Sequence, residues 1–583
     1  MTDNKPDKIA VKRLHALREK RQYLLSLPPE ETMARILQDP QPVALVHSFP
    51  EQDFYFLIHD IGPEDALPLL SHASNRQWEH LLDLETWQKD QIDAKAVSRW
   101  LDLFLNADPK RFIDWFLNEK LEFVEFFLYR NIEVRVREHD QDPSELGKDF
   151  FSLDNTFYMR FIDQPADGEE NKRTDEQRKK FIIRLAEKLA DIDHHLFQSV
   201  LLEATHVVPA EVEEECYRWR NIRLADKGFL PFDEAIGIYQ AVKVQDLEHK
   251  HAKHIPPSAD QALTLPIPQY PIRMLPEENH FTRAMAVIET QDVLPYIQAE
   301  FANLCNQVIV ADHKTIRDRE ELRGIVKKAC GYLNIGLERL VGGKKRITPH
   351  HAAALITKHP LSQIFRVGFG GALNLKWHAE KWLDTCWFAR IGLHLTFWGE
   401  QWLGVLGGLL LKKPLFYDNY KTGVLYREFA CIEDIKAMEG IFNQVKAVDD
   451  MLALMPINID RPSSYGFLTY ENLILTMWAR HHLKLRRENL ESLPMKKFRS
   501  FFEDLLPLRS TSSAGEMRKI PQAMKDNFLE WLALESGLHN NDITDRLGET
   551  FEKLFEDIES ELGRVAVNDL DPKYVNLFLV TNS

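Results

Sequence analysis

Residues 181–200 read FIIRLAEKLADIDHHLFQSV. Phe181, Leu185, Leu189, Ile192, Leu196 and Val200 recur at steps of three and four. That spacing gathers them on one face of a helix. Pro209 lies just beyond, where a helix stop is expected. The same period governs most of the chain and predicts a mainly α fold. Toward the N-terminus it gives way once. Ile132, Val134 and Val136 alternate with Glu133, Arg135 and Arg137, which is strand spacing. Residues 150–153 and 156–162 continue it, with Asp154-Asn155 as a tight turn. A small antiparallel β meander is therefore expected over 131–162.

Residues 29–130 carry a weak internal repeat. Leu45-Val46, Pro50, Phe54 and Leu57-Ile58 match Leu69-Leu70, Ser74, Trp78 and Leu81-Leu82. Leu103-Phe104, Asp108, Phe112 and Trp115-Phe116 form a third copy. Each copy reads as a short helix, a polar turn and a second helix. One such unit cannot bury its apolar face alone, so the copies are expected to stack as a short solenoid. The rival reading is an irregular helical bundle whose periodicity imitates a repeat.

The remaining organisation follows from charge and proline. Residues 1–28 form a basic helical arm, in which Lys5, Lys8, Lys12, Arg13, Arg18, Lys20 and Arg21 face Asp3, Asp7 and Glu19. Residues 163–245 form a helical middle region, opened by a polar stretch over 163–177. Pro256, Pro257, Pro266, Pro268, Pro271 and Pro276 make 246–278 an extended connector. Residues 279–583 form a larger C-terminal helical domain, interrupted near Gly342-Gly343, Pro456–Gly466 and Pro507–Pro521. At the end, 574–580 fits either a strand or a docked helical turn.

Across 583 residues the formal charge is −16, which disfavours strong whole-chain attraction to nucleic acid or an anionic membrane. Five scattered cysteines without a CxxC suit a reducing compartment, and no apolar leader opens the chain. A cytoplasmic location is expected. The stretch Trp387–Leu411 holds Arg390, His394, Glu400 and Gln401, leaving too short an uncharged run to span a bilayer.

Several segments also carry a resemblance. Phe49-Pro-Glu-Gln-Asp-Phe-Tyr-Phe56, Asp65-Ala-Leu-Pro-Leu-Leu70, Trp87-Gln-Lys-Asp-Gln-Ile-Asp93, Leu224-Ala-Asp-Lys-Gly-Phe229, Phe232-Asp-Glu-Ala235 and Asn334-Ile-Gly-Leu-Glu338 resemble an uncharacterised bacterial domain-of-unknown-function family. The resemblance covers most of the chain and supplies no chemistry. The hairpins at 50–58 and 63–70 are also similar to the cytoplasmic helical repeats of MgtE-type magnesium transporters and flagellar motor switch proteins. That likeness spans about a hundred residues, lacks the transporter's membrane part and implies no transport.

Two candidate sites remain. In the first, Trp382, Cys386, Arg390 and His394 step by four, so successive members would touch along one helix. Arg390 is expected to be at least half buried and paired with a carboxylate, and the group would line a ligand pocket near 377–402. The plain alternative is core packing. In the second, Glu51, Gln52, Asp53, Glu64, Asp65 and Arg76 occupy the turns and polar edges of the repeats, together with Asn75 and Lys110. They are expected to contact a macromolecular partner, a protein, because stacked helix pairs form extended surfaces.

Weaker patterns imply less. His249, His251 and His254 start the connector, and Asp191-x-x-His194 with Glu203-x-x-His206 lies off the apolar face, so no metal and no cofactor are expected. Gly368-Phe-Gly-Gly371 fits no phosphate-binding fingerprint, and Gly404, Gly407 and Gly408 read as close helix packing. The basic runs Lys344-Lys345-Arg346 and Lys484–Arg499 read as solvated faces. The leading reading is a non-catalytic scaffold or regulatory protein, with no membrane partner. The alternatives are an enzyme or small-molecule binder with its site near 377–402, and a nucleic-acid-associated regulator acting through the basic runs.

Overall fold

The computed structural model describes residues 8–88, 90–163, 169–206, 208–248, 252–255, 268–276, 279–288, 293–342, 347–457, 459, 468–485, 490–507 and 517–581. Helices dominate these residues, with one small three-stranded sheet and short strand pairs between them. The protein is mainly α with a minor β component. It divides into two compact units, Met1–Leu333 with Lys344–Arg366, and Asn334–Gly343 with Val367–Ser583. The division falls inside the helices Arg319–Leu340 and Leu361–Leu383, so residues 279–333 belong with the N-terminal unit.

In the first unit, the three sequence copies are three helix pairs. They are Pro42–His47 with Glu51–Ile61, Leu67–His72 with Asn75–Glu85, and Ala94–Ala107 with Pro109–Glu119. The matched turn residues Pro50, Ser74 and Asp108 are the N-caps of the second helices. Ser74 accepts from the N–H of Gln77 within a full capping box, and Asp108 accepts from Arg111. Phe54, Trp78 and Phe112 are all buried. Trp78 stacks on Phe104 at 4.7 Å and meets Trp115 edge-on at 5.5 Å. Each such side chain removed from water contributes about 1.5–3 kcal/mol.

The β element forms where alternation predicts it, with a different strand order. Ile132–Val136 pairs with Phe157–Phe161, which also pairs with Phe151–Ser152. A meander would place Phe151–Ser152 in the middle; here it lies on the edge. The cause is local. Asp154 accepts from Thr156 and Phe157, closing a tight hairpin, while the long 137–150 connection lets Ile132–Val136 reach the far side. Arg178 fastens the sheet to the helix Glu169–Ile192, donating to Asn131, Asp175 and the Ile162 carbonyl.

The single helix face predicted over 181–200 belongs to two helices. Asp193 accepts from the N–H groups of His195 and Leu196 and starts a new helix, His194–Ala204. Ile192 is consequently 56% exposed. Pro209 opens the helix Pro209–Ala225 instead of ending one, as its fixed φ allows at a first helical position. Part of the proline-rich connector is helical as well, at Tyr270–Arg273, and is tied down by Asp53.

The second unit has two aromatic cores. One joins Trp382, Phe388, Trp398 and Phe442, with Trp402 stacked on Tyr470 at 4.4 Å. The other joins Trp478, Phe501, Phe528 and Phe555. Gly404, Gly407 and Gly408 admit a β-hairpin, not a neighbouring helix. Their faces lie against Tyr417, the Tyr426 hydroxyl and the Leu415 carbonyl. At the C-terminus both sequence options occur. Pro572–Tyr574 is a helical turn, and Val580–Thr581 is a strand parallel to Leu493–Pro494.

Candidate functional site

The Trp382–His394 series does not form one line. The helix Leu361–Leu383 ends, Trp387–Arg390 makes a single turn, and Gly392 and Gly399 take left-handed φ of +79° and +71°. These breaks split the register on which contact depended. Trp382 and Cys386 are buried, whereas Arg390 and His394 are exposed. The buried carboxylate nearby, Asp449, accepts the backbone N–H groups of Trp387 and Phe388 at 2.9 and 3.0 Å. It caps that turn and is not bonded to Arg390. Burial pushes the Cys386 thiol up to about 11, which disfavours the thiolate at neutral pH. Leu383, Phe388, Leu393, His394 and Leu395 line a shallow open concavity of about 640 Å³. Its lining is mainly apolar, and Arg390 is not part of it.

The six proposed partner residues also separate. Gln52 and Asp53 are buried at 6% and 0% exposure and present no surface. Asp53 accepts the N–H groups of Gln269 and Tyr270, and Gln52 reaches the Lys227 carbonyl. Glu51 lies 3.7 Å from the Lys227 ammonium. Glu64 and Asp65 are exposed, Glu64 pairing with Arg99 at 2.6 Å. Arg76 and Lys110 are exposed, and Asn75 is half-buried. Of the histidines, His194 and His206 are exposed, and His254 is exposed while His249 and His251 lie outside the described residues. Among the basic runs, Lys484, Lys496 and Lys497 are exposed, and Lys344, Lys345, Arg346, Arg486 and Arg487 lie outside the described residues.

The first unit contains a better-formed site that residue patterns did not single out. A half-open cleft of about 480 Å³ lies between the helices Asn75–Glu85 and Pro209–Ala225, with the junction of Pro109–Glu119 and Leu121–Asn131 at one end. Glu79, Leu82 and Asp83 line one wall at helical positions i, i+3 and i+4. Cys216, Trp219 and Arg223 line the other at i, i+3 and i+7. Trp87, Asn118, Glu119, Lys120, Leu121 and Phe123 complete it.

The charges on its two helix walls are paired, while Glu119 at the end of the cleft is exposed and accepts from the Asn75 amide. Arg223 holds Asp83 with two bonds of 2.7 and 2.9 Å and lies 3.3 Å from Glu79, which also pairs with Lys120. Burial raises the Asp83 carboxyl, and the Arg223 bonds offset part of that rise. Arg220 donates to the Asp83 carbonyl and lies over Trp87 at 5.5 Å. Apolar surface remains on offer. Trp219 is 48% exposed and Leu121 39%, while Trp87 sits half-buried beside Tyr217. The cleft thus combines exposed apolar surface with helix walls whose acids, Glu79 and Asp83, are paired.

Among the described residues, no group of three or more His, Cys, Asp or Glu side chains is arranged to hold a metal ion, and no helix is long and apolar enough to cross a membrane. A family model described as a family of unknown function, DUF6178, matches residues 9–581. No curated protein and no solved structure matches the chain.

Proposed function

The chain belongs to that family of unknown function, and from its geometry we propose that it is a non-catalytic binding protein that holds a peptide segment of a protein partner in the 79–223 cleft. The observation that carries this reading is Trp219, half exposed at the mouth of a cleft whose wall acids, Glu79 and Asp83, are already paired. A large aromatic side chain with open apolar area is the kind of anchor that dominates protein interfaces. The acids of the two helix walls are paired, so the favoured occupant is an amphipathic segment inserting an apolar side chain between Trp87 and Trp219. This keeps the scaffold role expected from the helical repeats and moves it from Glu51, Gln52 and Asp53 to the cleft beside Arg223. A cytoplasmic, bacterial setting is part of the same proposal, supported by five free cysteines.

The test is site-specific photo-crosslinking in cells of the native source, with a benzoyl-phenylalanine in place of Trp219 or, as control, in place of Leu534, which is 67% exposed in the other unit. A discrete adduct from position 219 that disappears with Leu121→Glu supports the reading. No adduct, or the same ladder from both positions, overturns it.

A further inference from the structure

The hairpin formed by Phe416–Tyr417 and Tyr426–Arg427 closes through a loop that is exposed yet firmly held. Its anchor is Asp418, 2% exposed. The Asp418 carboxylate accepts from the Thr422 N–H at 2.6 Å, the Thr422 hydroxyl at 2.9 Å and Arg427 Nε at 2.9 Å. Arg427 is itself fixed by two bonds to Asp434. Across the loop, Tyr420 N–H donates to the Val424 carbonyl and Asp418 N–H to that of Leu425. Within this frame Asn419 and Tyr420 hold φ of +49° and +60°. Left-handed backbone is unfavourable for a bulky residue and persists only where its surroundings impose it.

That frame holds apolar side chains out in water. Tyr420 is 64% exposed, Val424 46% and Leu425 37%. The segment is also locally basic. Between Leu411 and Glu428 stand Lys412, Lys413 and Lys421 against Glu428, while Arg427 is taken up by Asp418 and Asp434. Lys421 sits in the loop, and both it and Lys412 are exposed.

We propose that this loop docks the protein on an anionic lipid surface, with Tyr420, Val424 and Leu425 entering the headgroup boundary and Lys412 and Lys421 meeting lipid phosphates. Three side chains on one loop offer far less than the roughly 800 Å² per partner of a stable protein interface. A bilayer demands no matching shape, tyrosine is favoured at its interface, and anionic headgroups attract lysines. The whole-chain charge does not report the exposed Lys412 and Lys421, which are local to this segment. The proposal does not depend on the cleft.

The test is sedimentation of the full chain with phosphatidylcholine vesicles, alone or containing roughly one-third phosphatidylglycerol. Pelleting only with the anionic vesicles, weakened by salt, is expected. Lys421→Gln should lower partitioning about fivefold. Tyr420→Gly removes the ring and relieves the left-handed backbone, so it should melt no lower than the parent while losing vesicle binding. Binding that ignores lipid charge, binding unchanged in Tyr420→Gly, no binding at all, or loop-dependent self-association without vesicle binding would each overturn the proposal.

Discussion

The Asp53 carboxylate, fully buried near the start of the helix Glu51–Ile61, accepts the backbone N–H of Tyr270 from 217 positions along the chain. The Gln269 N–H reaches both of its oxygens at 2.9 Å. One acid thus caps the turn Tyr270–Arg273 and pins the end of the proline-rich connector to the helical repeats. The Tyr270 hydroxyl extends the attachment, donating to Asp60, which also accepts from Arg319.

This latch carries a pH dependence. Burial raises the Asp53 carboxyl to about 7, against the opposing pull of the two N–H donors and of the Arg21 and Arg273 charges. The folded state therefore holds a proton that the unfolded chain has released, and stability falls as pH rises from about 4 to about 7. Asp53→Asn should remove this slope. It also turns an amide NH₂ toward backbone N–H groups, at a cost of about 1–3 kcal/mol. Urea titrations across that pH range check both effects. An unchanged slope in the variant would assign the dependence to another group.

Gly404 and Gly440 make opposite predictions for the same substitution. A methyl group on Gly404 would overlap the Tyr417 ring, whereas nothing lies within 4 Å of one on Gly440. Gly404→Ala should destabilise by about 1–3 kcal/mol, as overpacking does. Gly440→Ala, on an exposed part of the helix Ile432–Leu454, should stabilise by up to about 1 kcal/mol. Thermal melts of the two variants against the parent decide it.

Arg178 is 1% exposed and bonded to Asn131, itself 0% exposed. Arg178→Met leaves the buried Asn131 oxygen without its donor, while Asp175 keeps Lys179 at 2.8 Å. A loss of about 1–3 kcal/mol is expected, the cost of a buried polar group left unsatisfied. Denaturant unfolding measures it. A loss below about 1 kcal/mol would mean that solvent replaces the guanidinium.

Helical content was legible in the sequence because a 3.6-residue period needs only local apolar spacing, and the sheet because alternation is equally local. The turn residues Pro50, Ser74 and Asp108 were legible for the same reason. Long-range satisfaction was not. Asp53 in a first helical turn has the signature of a solvated, dipole-favourable acid, and only a segment more than two hundred residues away makes its burial tolerable. The cleft hid in the same way. Glu79, Leu82 and Asp83 are visible as one helix face, and Cys216, Trp219 and Arg223 as another, yet nothing in either stretch says that the two faces meet. Strand order failed at the 137–150 connection, whose length permits either neighbour.

Arg390 makes the failure of register measurable. A contact series at steps of four holds only along an unbroken helix, and this one stops at Leu383, turns extended at Cys386 and breaks again at Gly392 with its left-handed φ. The guanidinium that a continuous helix would have buried among tryptophans instead stands in solvent, while Asp449 spends its oxygens on the Trp387 and Phe388 N–H groups. Arg390→Leu should therefore melt within about 0.5 kcal/mol of the parent, as exposed substitutions do. Asp449→Ala should cost about 0.5–2 kcal/mol through the lost cap. If the order were reversed, with Arg390→Leu the more damaging, the pairing expected from the sequence would stand and the turn at Trp387–Arg390 would need another anchor.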